Sequence, residues 1–290
     1  ALECFHALSD GIGVLELLKL LVERYLASGG REVSFQGDLS FDEPAQAWES
    51  SDPFQTLYDP RLPGYPSYPR AYHYKGSGSY DERVKVISAR MKSSDLKGAA
   101  KLHDLTIGQY LGAVFIHSLQ ELQLKEGRKM RRRKPIRISV PMNLRRLFDL
   151  KTMRNFTLFA VVGIEPNRGY YSFEEIARHV RLQTALAQDK KALLSQIRRN
   201  VAGEHALALR FVPTMLKNPF FKLLSDHLGD QQYSGVISNL GHVALPGLLE
   251  ELVERMDFHL SPGLLNKVVL SVIGYKDEVV LNFSSFFTTD

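Results

Sequence analysis

The period of the apolar residues switches repeatedly along this chain, and that switching restricts the fold more than any other feature. Residues 12–26 (IGVLELLKLLVERYL) place apolar side chains at helical spacing, with Glu16, Lys19, Glu23 and Arg24 on the other face, and Gly29 and Gly30 stop the helix. Residues 84–89 (VKVISA) alternate as a strand, residues 93–102 (SSDLKGAAKL) read as a helix, and Thr106 caps or opens a longer apolar helix over 108–124. Strand patterns follow at 136–141 and 155–164. A charged amphipathic helix then runs from Phe173 to about Val201, and a further strand covers 234–240. Near the end, residues 268–275 and 279–286 form a hairpin turned by Lys276 and Asp277. Strands interleaved with helices predict an α/β or α+β sheet protein.

One stretch interrupts the alternation. Residues 36–81 show little periodicity and hold Pro44, Pro53, Pro60, Pro63, Pro66 and Pro69, which predicts a long irregular crossover. A connection of that length usually joins lobes or covers a site.

The remaining composition excludes more than it selects. A chain of 290 residues, 44% of them hydrophobic, can bury a sizeable core. The net charge of +5 suits an anionic ligand or an acidic partner but falls short of a nucleic-acid footprint. Part of the excess sits in residues 128–134 (RKMRRRK), which read first as a solvated connector between a helix and a strand. Aromatic residues are not interleaved with that run as a base-stacking platform would require. Cys4 is the only cysteine, so no intrachain disulfide can form and a reducing, cytoplasmic setting is expected. Cys4 itself reads as a small buried residue of a strand over residues 2–5. No stretch approaches the roughly 20 apolar residues of a membrane span, and no signal sequence opens the chain. His103, His117, His205, His227, His242 and His259 have no metal-site spacing, and no metal is expected. The absence of a Gly-x-Ser-x-Gly elbow, a P-loop and a dinucleotide fingerprint argues against a serine hydrolase, a phosphate-loop enzyme and an oxidoreductase.

The chemistry concentrates in residues 4–11 (CFHALSDG), between the first strand pattern and the first helix. Histidine is the side chain best matched to taking a proton from a hydroxyl or an amine at neutral pH, and His6 supplies one here. Asp10 can hold the loop's shape by pairing with an arginine, and Gly11 lets backbone or ligand approach closely. The loop offers a base and a stiff frame but no nucleophile. The bland alternative is a buried histidine ending a strand, followed by an Asp-Gly turn.

His6-Ala7-Leu8-Ser9-Asp10-Gly11 resembles the HxxxDG motif of the chloramphenicol acetyltransferase-like, or condensation-domain-like, acyltransferases, and the alcohol acetyltransferase branch looks nearest. The similarity continues through Leu105-Thr106 and its helix, Ser139 to Arg145 (SVPMNLR), Arg154-Asn155-Phe156, and Ser238-Asn239-Leu240-Gly241. It implies two similar lobes, each a mixed β-sheet flanked by helices, with a tunnel between them, and direct acyl transfer from a thioester with His6 as general base and no acyl-enzyme. Asp10 is then structural, with Arg145 as candidate partner, and Gly11 completes the catalytic loop. Asn143, Arg145, Asn155, Ser238 and Asn239 are candidates for steadying the thioester oxygen or the pantetheine amides. Ordinary strand-end hydrogen bonding is their competing reading. On this resemblance residues 1–30 end an N-terminal lobe, 31–81 cross over, and 82–290 form the C-terminal acyltransferase lobe. Most of the first lobe is expected upstream of Ala1, and a short helix beyond Asp290. Many condensation domains carry a second histidine where this chain has Phe5, which favours O-acyl transfer over peptide-bond condensation.

Three functions follow as expectations. The first moves an acyl group, acetyl foremost, from acyl-coenzyme A as co-substrate to a small alcohol or amine acceptor. The second takes the acyl group from an acyl carrier protein docked on the 128–134 run. The third is a noncatalytic binding module of the same fold.

Overall fold

The computed structural model describes residues 1–31, 37, 39–75, 80–205, 229–245, 247–263 and 265–287. His227 and residues 288–290 lie outside them, as do parts of the crossover. Helices begin where short polar side chains meet orphan N–H groups. Thr106 opens α4 (Ile107–Lys125) by accepting from Gln109 N–H, while the Gln109 side chain accepts from Thr106 N–H. Ser172 and Glu175 repeat the device at the start of α6 (Phe173–Ala187). Asp10 caps α1 (Gly11–Ser28), and Gly30, at φ 78°, follows its end in the left-handed region.

Six strands form one sheet in the order β1-β6-β5-β4-β2-β3. They are β1 (Tyr80–Lys92), β2 (Ile136–Asn143), β3 (Thr157–Ile164), β4 (Gly235–Val243), β5 (Val268–Tyr275) and β6 (Glu278–Phe287). β4 is parallel to both β2 and β5, and the other three pairs are antiparallel, so the sheet is mixed, as the resemblance implies. β5 is nearly all apolar because both of its faces are covered. Leu270 and Val272 join Leu111, Ile116 and Leu119 of α4, and Ile176 of α6, in the main core. Ile273 and Tyr275 pack instead with Leu15 of α1 and with Leu245 and Leu249. A third cluster, around Leu144, Phe156 and Leu158, is closed by Leu193, Ile197 and Val201 of α7 (Lys190–His205).

Three expectations are corrected. Residues 2–5 are not a strand, because the six-stranded ladder leaves them no partner; Cys4 is accordingly half-buried, with Sγ 3.7 Å from Phe5 O. The single helix expected from Phe173 to about Val201 is two helices, because Asp189 takes the Ala192 N–H and starts α7 afresh. β3 begins at Thr157 rather than 155, because the backbone before it turns toward Asp10.

Up to Lys75 the described residues of the crossover are irregular, as its prolines imply, except for a one-turn helix, α2 (Pro53–Thr56), capped by Asp52. The crossover is also firmly attached. At one end of the sheet Met153 N–H donates to Glu49 O and Thr152 Oγ1 donates to Ser51 O. At the other, Ala71 N–H donates to Gln231 O and Tyr72 N–H to Pro135 O. Among the described residues no helix is long and apolar enough to cross a membrane.

Candidate functional site

Three chain ends meet at one corner of the sheet: the N-terminus of α1, the end of β2 and the start of β3. Asp10 sits at their junction and is 3% exposed. Its Oδ1 accepts from Gly13 N–H at 3.1 Å, the capping bond of α1. Its Oδ2 accepts from Phe156 N–H at 2.8 Å, Thr157 Oγ1 at 3.0 Å and Arg145 NH1 at 2.8 Å. Burial alone would push this carboxyl up, but the Arg145 guanidinium and the Phe156 and Gly13 N–H groups hold it below its ordinary value. One carboxylate therefore fixes a helix start, a strand start and an arginine in register.

Arg145 is committed to protein acceptors throughout. Besides Asp10, NH1 reaches Asn143 Oδ1 at 3.2 Å, Nε donates to Thr152 O at 3.0 Å, and NH2 donates to Arg154 O at 2.8 Å. Asn143 Oδ1 also takes the Arg145 N–H, at 3.1 Å. The 149–156 loop is thus wound around the guanidinium, which suits the planar fork of arginine and not the point charge of lysine. Ser9 Oγ pins the motif loop to the same turn by donating to Met153 O at 2.5 Å.

Glycine is required at Gly13, where a Cβ would meet backbone, whereas a Cβ at Gly11 would have to displace only the tip of the Leu240 side chain. A Cβ on Gly11 would stand 2.7 Å from Leu240 Cδ2, and one on Gly13 would overlap Ser9 Oγ and stand 2.7 Å from Met153 O. The first contact joins α1 to the β4 irregularity between Asn239 and His242, where Gly241 adopts φ 76°. The second lets the helix start press against the arginine loop.

His6 lies outside this packed corner. It is exposed in a turn, flanked by Phe5 at 77% and Leu8 at 68% exposure. Its one recorded contact is Nδ1 to Asn155 Nδ2 at 3.3 Å, and Nε2 has no hydrogen-bond partner among the described residues. Asn155 Oδ1 is buried without a partner. The two ends of that amide are told apart by hydrogen bonding. Exchanging them would set an acceptor against His6 Nδ1, fix the proton there and leave Nε2 as the basic nitrogen.

The predicted site residues thus divide. Asp10, Gly11, Asn143 and Arg145 gather at this corner, and His6 stands exposed outside it against Asn155. Ser238 and Asn239 stand on β4, opposite Ser271 and Val272 of β5, and among the described residues neither hydrogen-bonds to His6 or Asp10. Asn239 Oδ1 accepts from Gly241 N–H at 2.8 Å and so shapes its own turn. Ser9, Gly13, Thr152 and Thr157 belong to the corner and escape a reading by motif. Only Gly13 left a trace, as the second glycine in DGIG. Of the remaining histidines, His103 packs edge-on to Phe173 at 4.8 Å and His205 stacks on Tyr58 at 4.4 Å. Among the described residues no three of His, Cys, Asp or Glu gather where a metal could be held.

No protein-family model matches the chain, and no curated protein sequence is similar to it. Solved structures are similar in fold. The trichothecene 15-O-acetyltransferase of Fusarium sporotrichioides matches over 96% of this chain and 59% of its own, at 12% identity and a TM-score of 0.51. A condensation domain of the enacyloxin polyketide synthase matches over 98% and 53%, at 15% identity and a TM-score of 0.48. The wax ester synthase/diacylglycerol acyltransferase from Marinobacter aquaeolei VT8 matches over 71% and 44%, at 10% identity and a TM-score of 0.42. The chain spans about half the length of these structures. At such identities the likeness is one of fold alone: a mixed α/β domain, its six-stranded mixed sheet flanked by helices, similar to part of the trichothecene 15-O-acetyltransferase.

Proposed function

We propose that this chain carries the base of an acyltransferase, moving an acyl group from a coenzyme A thioester to an alcohol, with His6 acting through Nε2. The observation that carries the reading is a contrast: an exposed imidazole nitrogen without a hydrogen-bond partner among the described residues, beside a buried and saturated Asp10–Arg145 pair. In the proposed step, Nε2 takes the proton of the acceptor hydroxyl as its oxygen attacks the thioester carbonyl. Collapse of the tetrahedral intermediate breaks the carbon–sulfur bond, and the imidazolium returns the proton to the departing thiolate. Nothing at the corner offers a serine or cysteine nucleophile to that carbonyl: Ser9 Oγ is tied to Met153 O, and Cys4 Sγ lies against Phe5 O. Direct transfer therefore fits better than an acyl-enzyme.

An exposed base works in water, where oriented dipoles count for little. We infer that the face bearing Phe5, His6 and Leu8 is covered by a second body during turnover, which would make the acceptor pocket a shared one. Asn155 is the positioning residue on this reading, with its amide oxygen on Nδ1–H. The test is thiol release from acetyl-coenzyme A over a panel of alcohols and amines, in the full-length protein and its His6→Ala form. Release that depends on His6 supports the proposal. Equal release from both forms would end it. Release only from an acyl carrier protein would keep the base and change the donor.

A further inference from the structure

The opposite end of β2 adjoins a concavity of about 200 Å³ whose charge plays no part in the proposed proton transfer. Arg70, His73, Lys75, Arg128, Lys134 and Lys267 line it. Seven residues of strand separate this end from Asn143, or about 23 Å at 3.3 Å per residue, so a ligand here does not touch His6. The crossover brings Arg70, His73 and Lys75, the basic run brings Arg128 and Lys134 from its two ends, and Lys267 precedes β5. Three segments distant in sequence thus deliver like charges to one hollow.

Arg70, Lys75 and Lys134 make no ion pair among the described residues, whereas Arg128 pairs with Glu126. The carboxylate of Glu126 is engaged on both oxygens, by Tyr72 Oη at 2.7 Å and Arg128 Nε at 3.0 Å. Burial, then Arg70, Arg128 and Lys75, lowers the Lys134 ammonium below its ordinary value. His73 is lowered by burial and by Arg70 and Lys134, although its ring nitrogens each lie 3.1 Å from a carbonyl oxygen, of Asp230 and Ala71, and only an imidazolium could donate to both. The wall also contains an unmet acceptor. Gln123, 1% exposed, donates through Nε2 to Lys134 O at 3.1 Å, while its Oε1 has no partner. Crowded cations with a buried, unsatisfied amide beside them describe a cavity complementary to an anion with its own hydrogen-bond donors.

We propose that this cavity binds the phosphate group of a soluble phosphorylated small molecule. A compact, multiply charged oxyanion offsets several cations at once, whereas a carboxylate offsets only one. The concavity suits a free ligand better than a headgroup held in the plane of a bilayer. The probe is pyrophosphate, titrated by calorimetry into the full chain at moderate salt, with vesicles containing phosphatidic acid as a separate arm. Two paired variants are compared with the unaltered protein: Lys75→Gln with Lys134→Gln inside the cavity, and Arg131→Gln with Arg132→Gln on the exposed part of the same run. Both pairs lie at the surface, and matching melting curves confirm that the fold is kept.

The expected result is saturable pyrophosphate binding that weakens about tenfold or more in the cavity pair and less than about threefold in the exposed pair. Three results would overturn the proposal. One is no binding by the unaltered protein. Another is equal weakening in both pairs, which would mean diffuse attraction to a basic surface. The last is binding to the vesicles that pyrophosphate fails to compete, which would assign the charge to a membrane headgroup.

Discussion

Asp10 and His6 stand four residues apart in one loop and are built in opposite ways. Asp10 is buried and accepts four hydrogen bonds from three other elements, whereas His6 is exposed and has a single 3.3 Å contact. The difference separates two tasks that a motif merges. The aspartate sets where the loop goes. The histidine is delivered by that setting and is free to do chemistry. Losing the first should cost stability, and losing the second should cost rate alone.

That division can be broken experimentally, beginning with its largest effect. Arg145→Ala leaves the Asp10 carboxylate buried without its cation and should lower unfolding free energy by about 3–5 kcal/mol in urea titrations. Arg145→Lys should recover little, since an ammonium cannot serve Asp10, Asn143, Thr152 and Arg154 together. A loss under about 1 kcal/mol in Arg145→Ala would remove the frame from the account.

Asp10→Asn keeps the shape and removes the charge, with an expected loss of about 2 kcal/mol at neutral pH. Its pH dependence sharpens the point. The folded carboxyl lies below its ordinary value, so its stabilisation is fully present above the unfolded value of about 4 and disappears as pH falls through the lower folded value. Unfolding measured across that acid range should show a smaller decline in Asp10→Asn than in the parent. Parallel declines would mean that Asp10 is not the titrating group.

A smaller effect is expected at Gly13. An added methyl group meets Ser9 Oγ and Met153 O, so Gly13→Ala should cost about 1–3 kcal/mol by calorimetric melting. Ser9→Ala combined with Gly13→Ala should cost less than the sum of the two, because the hydroxyl that clashes is gone. Strict additivity would show that the methyl is accommodated elsewhere.

The frame was partly legible in the sequence, and the reasons are physical. Helices with short polar caps and strands with alternating side chains announce themselves locally, as Thr106 and residues 84–89 did. The HxxxDG pattern marked His6, Asp10 and Gly11 because its members lie within six residues. Arg145 could be suggested only from an asparagine, leucine and arginine at a strand end, 135 residues away, and the atoms that complete the corner are less visible still. Backbone groups such as Phe156 N–H and Met153 O have no letter, and Thr152 and Ser9 look like any loop hydroxyl. The break at Asp189 was missed because both helices share one amphipathic pattern across it. The basic cavity was missed because its residues come from three distant segments, and only two of them belong to the run that drew attention. Residues 2–5 misled because an alternating quartet reads as a strand whether or not a partner exists to pair with it.

The most direct test of the division is His6→Ala, with unfolding free energy and thiol release measured on the same preparation. The account predicts stability within about 0.5 kcal/mol of the parent, as for an exposed side chain, together with loss of His6-dependent acyl transfer. A variant that unfolds as readily as Arg145→Ala, or one that releases thiol at the parent rate, would contradict it.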